Sequence, residues 1–189
     1  MWLWVIDTSE RAAGPTRVNP GRSEALGHRT KNMNKTEKYA SLLPQVQAVM
    51  DEKADIIANM ANMAAMLHET FGFWWTGFYR VIGGELVLGP FHGPLACTRI
   101  AYGRGVCGTA WKERRTVVVP DVEQFPGHIA CDSASNSELV IPIRSGGKIV
   151  GVLDLDSPEF DRFSAQDQAG LEGFVRVLEE VTDFSRLRG

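Results

Sequence analysis

Three cysteines, Cys97, Cys107 and Cys131, are the residues of this chain best suited to covalent chemistry. A thiolate is a nucleophile and a metal ligand, whereas a protonated thiol sealed in apolar surroundings is inert. No two of them pair as CxxC, and His28, His68, His92 and His128 are scattered. Structural zinc sites use closely spaced Cys and His pairs. His128 and Cys131 stand three residues apart, but no second pair accompanies them, so no metal is expected. All three cysteines fall within residues 89–136, a Gly-rich stretch without regular apolar spacing. Irregular segments of that length inside a compact domain are usually functional. Cys131 lies in HIACDSASNSE (128–138), which is too polar to pack as interior. Cys97 is followed by Thr98 and Arg99, whose guanidinium favours a thiolate. A nucleophilic cysteine with a partner able to form a disulfide is the simplest chemical reading. For any single one, a small buried hydrophobe is the alternative.

Carboxylates form a second group. Asp154 and Asp156 alternate with Leu153 and Leu155, so on a strand both acids point to one sheet face. Glu138 opens the preceding strand and can meet them across a hairpin. Three carboxylates on one face are costly unless a cation neutralises them or one of them keeps its proton. A ligand ammonium would do the first, and an acid catalyst would use the second. A solvent-facing stripe of charge is the alternative.

The elements that must position these groups are legible around them. Thr36 with Glu37 opens a helical stretch, and Pro44 suits the first turn of a second helix. Ile57, Met60, Ala61, Ala64, Leu67 and Phe71 recur at steps of three and four, one face of a helix that Gly72 ends. Met60, Met63 and Met66 are expected to fill core space rather than to bind copper. FWWTGFYRVI (73–82) and ELVLGPF (85–91) form a hairpin about Gly83 and Gly84. SELVIPIRS (137–145) and KIVGVLDLDS (148–157) form another about Gly146 and Gly147. Ser164 with Asp167 caps an amphipathic helix running through Leu171, Phe174, Val175, Leu178 and Val181. The order helix, hairpin, irregular middle, hairpin, helix is α+β, an antiparallel sheet with terminal helices on one face.

The 189 residues suit one domain, and 44% hydrophobic with 23% charged residues is a globular balance. A net charge of −3 offers no basic footprint for nucleic acid or anionic membrane. No apolar run reaches the ~18 residues of a membrane span, and the odd cysteine count does not suit a disulfide-stapled secreted scaffold, so a cytoplasmic protein is expected. Residues 1–32 carry five Lys and Arg against three Asp and Glu, several Gly and Pro, and little periodicity. They are expected to be a disordered or non-native extension, with Met33 the functional start and residues 33–189 a single domain. A helical arm docked through Trp2 and Trp4 is the alternative. Gly103, Gly105 and Gly108 spell GxGxxG, but the dinucleotide fingerprint needs a buried parallel strand before it. Turn geometry at the start of a short helix explains these glycines better.

The runs LGPFHG (88–93), ACTRI (96–100), GVCGTA (105–110), VPDV (119–122), GHIACDSASNSE (127–138) and GVLDLDS (151–157) together resemble the free methionine-(R)-sulfoxide reductases, small enzymes of the GAF fold. The likeness runs from about Lys35 to the end of the terminal helix. Departures, at Pro94-Leu95 and at Trp111 to Arg114, fall outside the motifs that carry chemistry.

The resemblance implies roles for named residues. Cys131 corresponds to the catalytic cysteine, Cys97 to the main resolving one and Cys107 to an auxiliary resolver. Glu138, Asp154 and Asp156 correspond to carboxylates that hold the substrate ammonium and the polarised sulfoxide oxygen. Trp75 and Tyr79, on one side of a strand, correspond to the wall around the S-methyl group; without the resemblance they would read as core aromatics. The implied reaction is attack of Cys131 on the sulfoxide sulfur, with Glu138 or Asp156 protonating the oxygen, then a sulfenic acid and a disulfide with Cys97. Thioredoxin, itself reduced by NADPH through thioredoxin reductase, recycles the disulfide. No bound cofactor is implied; the Met-rich helix, read on its own, offers a face for a homodimer. The competing classes are a non-catalytic GAF sensor of a small ligand, which needs no cysteine pair, and a thiol redox sensor.

Overall fold

A computed structural model describes residues 33–129 and 134–186. The expected extension over 1–32 and the position of Cys131 lie outside the described residues. The first element is helix α1 (Lys35–Val49), opened by Asn34. The Asn34 side chain accepts from the Glu37 amide at 3.0 Å, and the Asn34 amide donates back to the Glu37 carboxylate at 2.9 Å. This reciprocal cap satisfies two of the amides that a helix start leaves open. Pro44 does not begin a second helix, as its residue type suggested, but sits inside α1. A proline there forfeits one backbone bond. Burial of Tyr39, Leu42 and Val46 along one side of α1 holds the helix together across that gap.

Helix α2 (Ile56–Phe71) follows, with Asp55 accepting from the Ile57 amide at 2.7 Å and Gly72 ending it in the left-handed conformation. Met60 and Met63 are fully buried, and Met66 packs partly buried against the same core. Strands β1 (Trp75–Ile82) and β2 (Glu85–His92) form the first hairpin, and β5 (Ser137–Ser145) and β6 (Lys148–Ser157) the second. Between the hairpins lie β3 (Arg99–Ala101), helix α3 (Gly105–Glu113), β4 (Val117–Val119) and a 3₁₀ turn (Val122–Gln124). Helix α4 (Ala165–Val181) closes the fold behind the Ser164–Asp167 cap. The sheet order is β3-β2-β1-β6-β5-β4, with every neighbouring pair antiparallel.

Alternation along the strands divides the core into two layers. Phe78, Leu139, Ile141, Ile143, Leu153 and Leu155 pack with α1, α2 and α4 on one face. Trp75, Tyr79, Val140 and Val152 face the other way, against Val106, Cys107 and Ala110 of α3. The GxGxxG letters serve this second layer. Gly103 has φ +73°, and a Cβ on Gly108 would stand 2.6 Å from the Ala101 carbonyl oxygen. The strand before them, β3, pairs antiparallel with β2, so no dinucleotide-binding unit is formed. Among the described residues no helix is long and apolar enough to cross a membrane.

Candidate active site

The sheet register assembles the acidic cluster. Glu138 pairs with Asp156 across β5 and β6, and Asp156 pairs in turn with Trp75 on β1. One step along, Val140 pairs with Asp154, and Asp154 with Gly77. Residues in register share a face, so Glu138, Asp154, Asp156, Trp75 and Tyr79 all project toward α3. Gly77 is required here: a Cβ would lie 2.4 Å from a Trp75 ring carbon. The indole instead occupies the space that a Gly77 side chain would take, stacked with Tyr79 at 6.1 Å and with Phe91 at 5.3 Å between ring centroids.

Between this face and the loops opens a cleft whose empty space, including its solvent mouth, is about 560 Å³. Trp75, Tyr79, Cys107, Glu138, Asp154 and Asp156 all line it. Hydrogen bonds anchor the aromatic wall: Trp75 Nε1 donates to the Pro94 carbonyl at 3.1 Å, and Tyr79 OH donates to the Cys97 carbonyl at 3.0 Å. The second bond also ties the Cys97 backbone to the wall. Ser135 Oγ donates to Asp156 Oδ1 at 2.5 Å. Cys107 Sγ lies 3.9 Å from Glu138 Oε1, and His128 Nε2 lies 3.9 Å from Glu138 Oε2.

Burial governs the electrostatics. Glu138 and Asp154 are 7% and 6% exposed. Desolvation, then repulsion from Asp154 and Asp156, pushes the Glu138 carboxyl well above its ordinary range. Desolvation and then Asp156 do the same to Asp154. The Cys107 thiol is pushed up by burial and then by Asp154, so it is held protonated. Burial pulls the His128 imidazole down, which favours its neutral form. Asp154 Oδ1 is buried without a hydrogen-bond partner. A cleft of this kind can donate a proton from a neutral carboxyl and can take a cation against an ionised one.

Six of the eight expected site residues therefore meet in one cleft. Cys97 stands at its edge, half-buried and disulfide-bonded, while Cys107 is a free buried thiol. Cys131 lies outside the described residues. Arg104, His128 and Ser135 also line the cleft; the last two belong to HIACDSASNSE, but none of the three was expected as a site residue. Arg104 precedes α3 without capping it through its side chain, and α3 is the short helix expected behind the glycine turn. The only sequence signal for its start was the glycine cluster.

Comparison with known proteins places the chain in a family. The chain matches the GAF domain family over residues 46–181. It is 47% identical over 158 residues to the free methionine-R-sulfoxide reductase of Escherichia coli, covering 82% of this chain and 96% of that protein. A free methionine-R-sulfoxide reductase of Saccharomyces cerevisiae is 36% identical over 164 residues, covering 82% and 91%. Among solved structures, the free methionine-R-sulfoxide reductase from Neisseria meningitidis in complex with its substrate superposes with a TM-score of 0.79 at 48% identity, covering 82% of this chain and 95% of that one. By sequence and by fold, the chain belongs to the GAF domain family, among relatives named as free methionine-R-sulfoxide reductases.

Proposed function

We propose that this protein reduces free methionine-(R)-sulfoxide to methionine with a cysteine nucleophile and that thioredoxin returns it to the dithiol state. The observation that carries the proposal is the convergence of three carboxylates and a two-ring aromatic wall on one cleft. The unpartnered Asp154 Oδ1 suits a substrate ammonium, and the Trp75 and Tyr79 rings suit an S-methyl group. Arg104 and the first amides of α3, at the cleft rim, suit the substrate carboxylate. A sulfoxide sulfur is a poor electrophile until its oxygen is protonated or strongly hydrogen-bonded. Glu138, held neutral by burial and its acidic neighbours, is the donor best suited to that task.

In the first step the Cys131 sulfur attacks the sulfoxide sulfur and the oxygen passes to the cysteine, so that methionine leaves and Cys131 becomes a sulfenic acid. The Cys97 thiol then condenses with that sulfenic acid, forming a disulfide and water. Thiol–disulfide exchange with reduced thioredoxin restores both thiols and oxidises thioredoxin. The disulfide-bonded state of Cys97 and the free state of Cys107 support Cys97 as the resolving residue and leave Cys107 as an auxiliary. The test is incubation with free methionine sulfoxide, thioredoxin, thioredoxin reductase and NADPH. Substrate-dependent NADPH consumption is expected, and its absence would favour a sensor. Cys131→Ser is expected to abolish even one turnover. Cys97→Ser should release one methionine per chain and then recycle poorly; full steady-state activity in that variant would remove its role.

A further inference from the structure

We propose that Cys107, Glu138 and Asp154 form a binding site for a thiophilic divalent cation of the zinc and cadmium class. The sequence raised no such expectation, because spacing rules look for Cys and His pairs. This donor set instead comes from three separate elements, α3, β5 and β6, joined by the sheet register. One donor atom from each of the three residues lies within 4.8 Å of the other two, and all three residues are buried. Zinc bonds of about 2.3 Å to sulfur and about 2.0–2.2 Å to oxygen put neighbouring donors roughly 3.5 Å apart. Side-chain rotations that draw the donors inward by about an ångström close that gap. The independent observation is Asp154 Oδ1, an acceptor sealed from solvent and without a partner, on a residue that lines the cleft. The Asp154 carboxyl as a whole meets Cys107, Glu138 and the Leu155 amide, and a cation shared by the three side chains would also satisfy its open oxygen.

The sulfur donor selects the metal class. Magnesium and calcium prefer oxygen donors and water, whereas a thiolate with few oxygens in an enclosed site suits zinc or cadmium. Binding forms the metal–sulfur bond as the Cys107 proton leaves to solvent, and the Glu138 and Asp154 carboxyls release the protons they hold as their oxygens take the metal. His128 Nε2 stands 3.9 Å from Glu138 Oε2 but outside the three-donor group, so the remaining coordination position falls to water. Because the cation would occupy the space assigned above to the substrate ammonium, it would act as a competitive inhibitor. That consequence rests on the reductase proposal, whereas binding itself does not.

The test uses the full chain as Cys97→Ser/Cys131→Ser, which leaves Cys107 as the one thiol, titrated with Cd²⁺ and followed by the ultraviolet thiolate-to-cadmium charge-transfer band. A band saturating at one cadmium per chain is expected, and it should vanish when Cys107→Ser is added. Asp154→Asn in the same background should weaken Cd²⁺ binding at least about tenfold by calorimetry, with circular dichroism checking that each variant is folded. No band, a band that survives Cys107→Ser, or unchanged affinity in Asp154→Asn would overturn the site. In wild type, Zn²⁺ is expected to raise KM for free methionine sulfoxide at constant kcat. An absence of turnover with an intact cadmium band would count against the reductase proposal alone, while turnover without a band would count against the metal site alone.

Discussion

Glu138 sits where stability and chemistry pull in opposite directions. Its carboxyl is buried beside two further acids, and every one of those neighbours makes ionisation harder. A protonated carboxyl can donate to a substrate oxygen, but a buried crowded acid is a liability to the folded chain. Glu138→Gln keeps the shape and removes the proton that can be given away. The expected outcome at neutral pH is a Tm raised by a few degrees, at about 2–4 °C per kcal/mol for a domain of this size. Turnover should fall by about 10²–10⁴, the usual worth of a positioned general acid. Calorimetry and single-turnover methionine release check the two halves. A lowered Tm would mean that the acid contributes structurally, and unchanged turnover would move the donor role to Asp156. Gly77 makes a smaller point at the same scale. Its missing Cβ is what leaves room for the Trp75 ring, so Gly77→Val should displace the indole and raise KM more than it lowers kcat.

Helices α1 and α4 are joined by one buried carboxylate rather than by hydrophobic contact alone. Asp167, at the start of α4, is fully buried and accepts from Lys35 Nζ at 2.6 Å and from Tyr39 OH at 2.9 Å, both on α1. It also accepts from the Ser164 amide at 2.8 Å, and Arg162 lies 3.7 Å away. Although burial alone would raise it, these bonds prevail and hold the Asp167 carboxyl below its ordinary value of 3.8. A carboxylate lowered in this way stabilises the folded chain above the unfolded value. That contribution is complete above about pH 5 and disappears as pH falls through 3.8 toward the lower folded value. Asp167→Asn is expected to cost about 1.5–3 kcal/mol at pH 7, the range for a hydrogen-bonded buried charge. Urea melts at pH 7 and at pH 3.5 check this: the gap between wild type and variant should narrow at the lower pH, and a constant gap would contradict the ionic role. The same elements show what a sequence can and cannot reveal. The Ser164 and Asp167 spacing marked the helix start, and Gly146 with Gly147 marked a hairpin whose strands end where expected. Pro44 misled because local propensity yields to the packing of Leu42 and Val46. Arg104 went unassigned, and His128 was weighed only as a metal ligand beside Cys131, for a different reason. Nothing local encodes that α3 lies over β5 and β6, so the place of His128 beside Glu138 and of Arg104 on the same cleft exists only in three dimensions.

At the scale of the whole molecule, the antiparallel sheet acts as a partition, with helical hydrocarbon on one side and an acidic cleft on the other. The acids can remain crowded because the strands bearing them are fixed by a buried layer of Leu139, Ile141, Leu153 and Leu155 behind. Truncating Leu153 to Ala in that layer would cost about 2–5 kcal/mol, a measure of how firmly the far face is held. Such a rigid, negatively lined cleft should discriminate by ligand charge. A free amino acid brings an ammonium to Asp154, whereas a methionine sulfoxide within a peptide brings a neutral amide and more chain than the cleft can hold. Blocking the amine tests charge separately from size. N-acetyl-methionine sulfoxide adds few atoms but brings no counter-charge, so Asp154, pushed up by burial and by Asp156, keeps its proton and the charge pair is lost, about 2–5 kcal/mol by analogy with broken buried charge pairs. Its kcat/KM should therefore fall at least about 30-fold below that of the free amino acid. Methionine sulfoxide methyl ester, which keeps the ammonium and loses the carboxylate, should suffer less if Arg104 at the exposed rim is the weaker partner. Competition assays of the three compounds against one another would rank these terms. Equal use of the free and N-acetylated substrates would remove the ammonium from the recognition scheme and leave the acids with a proton-donating role alone.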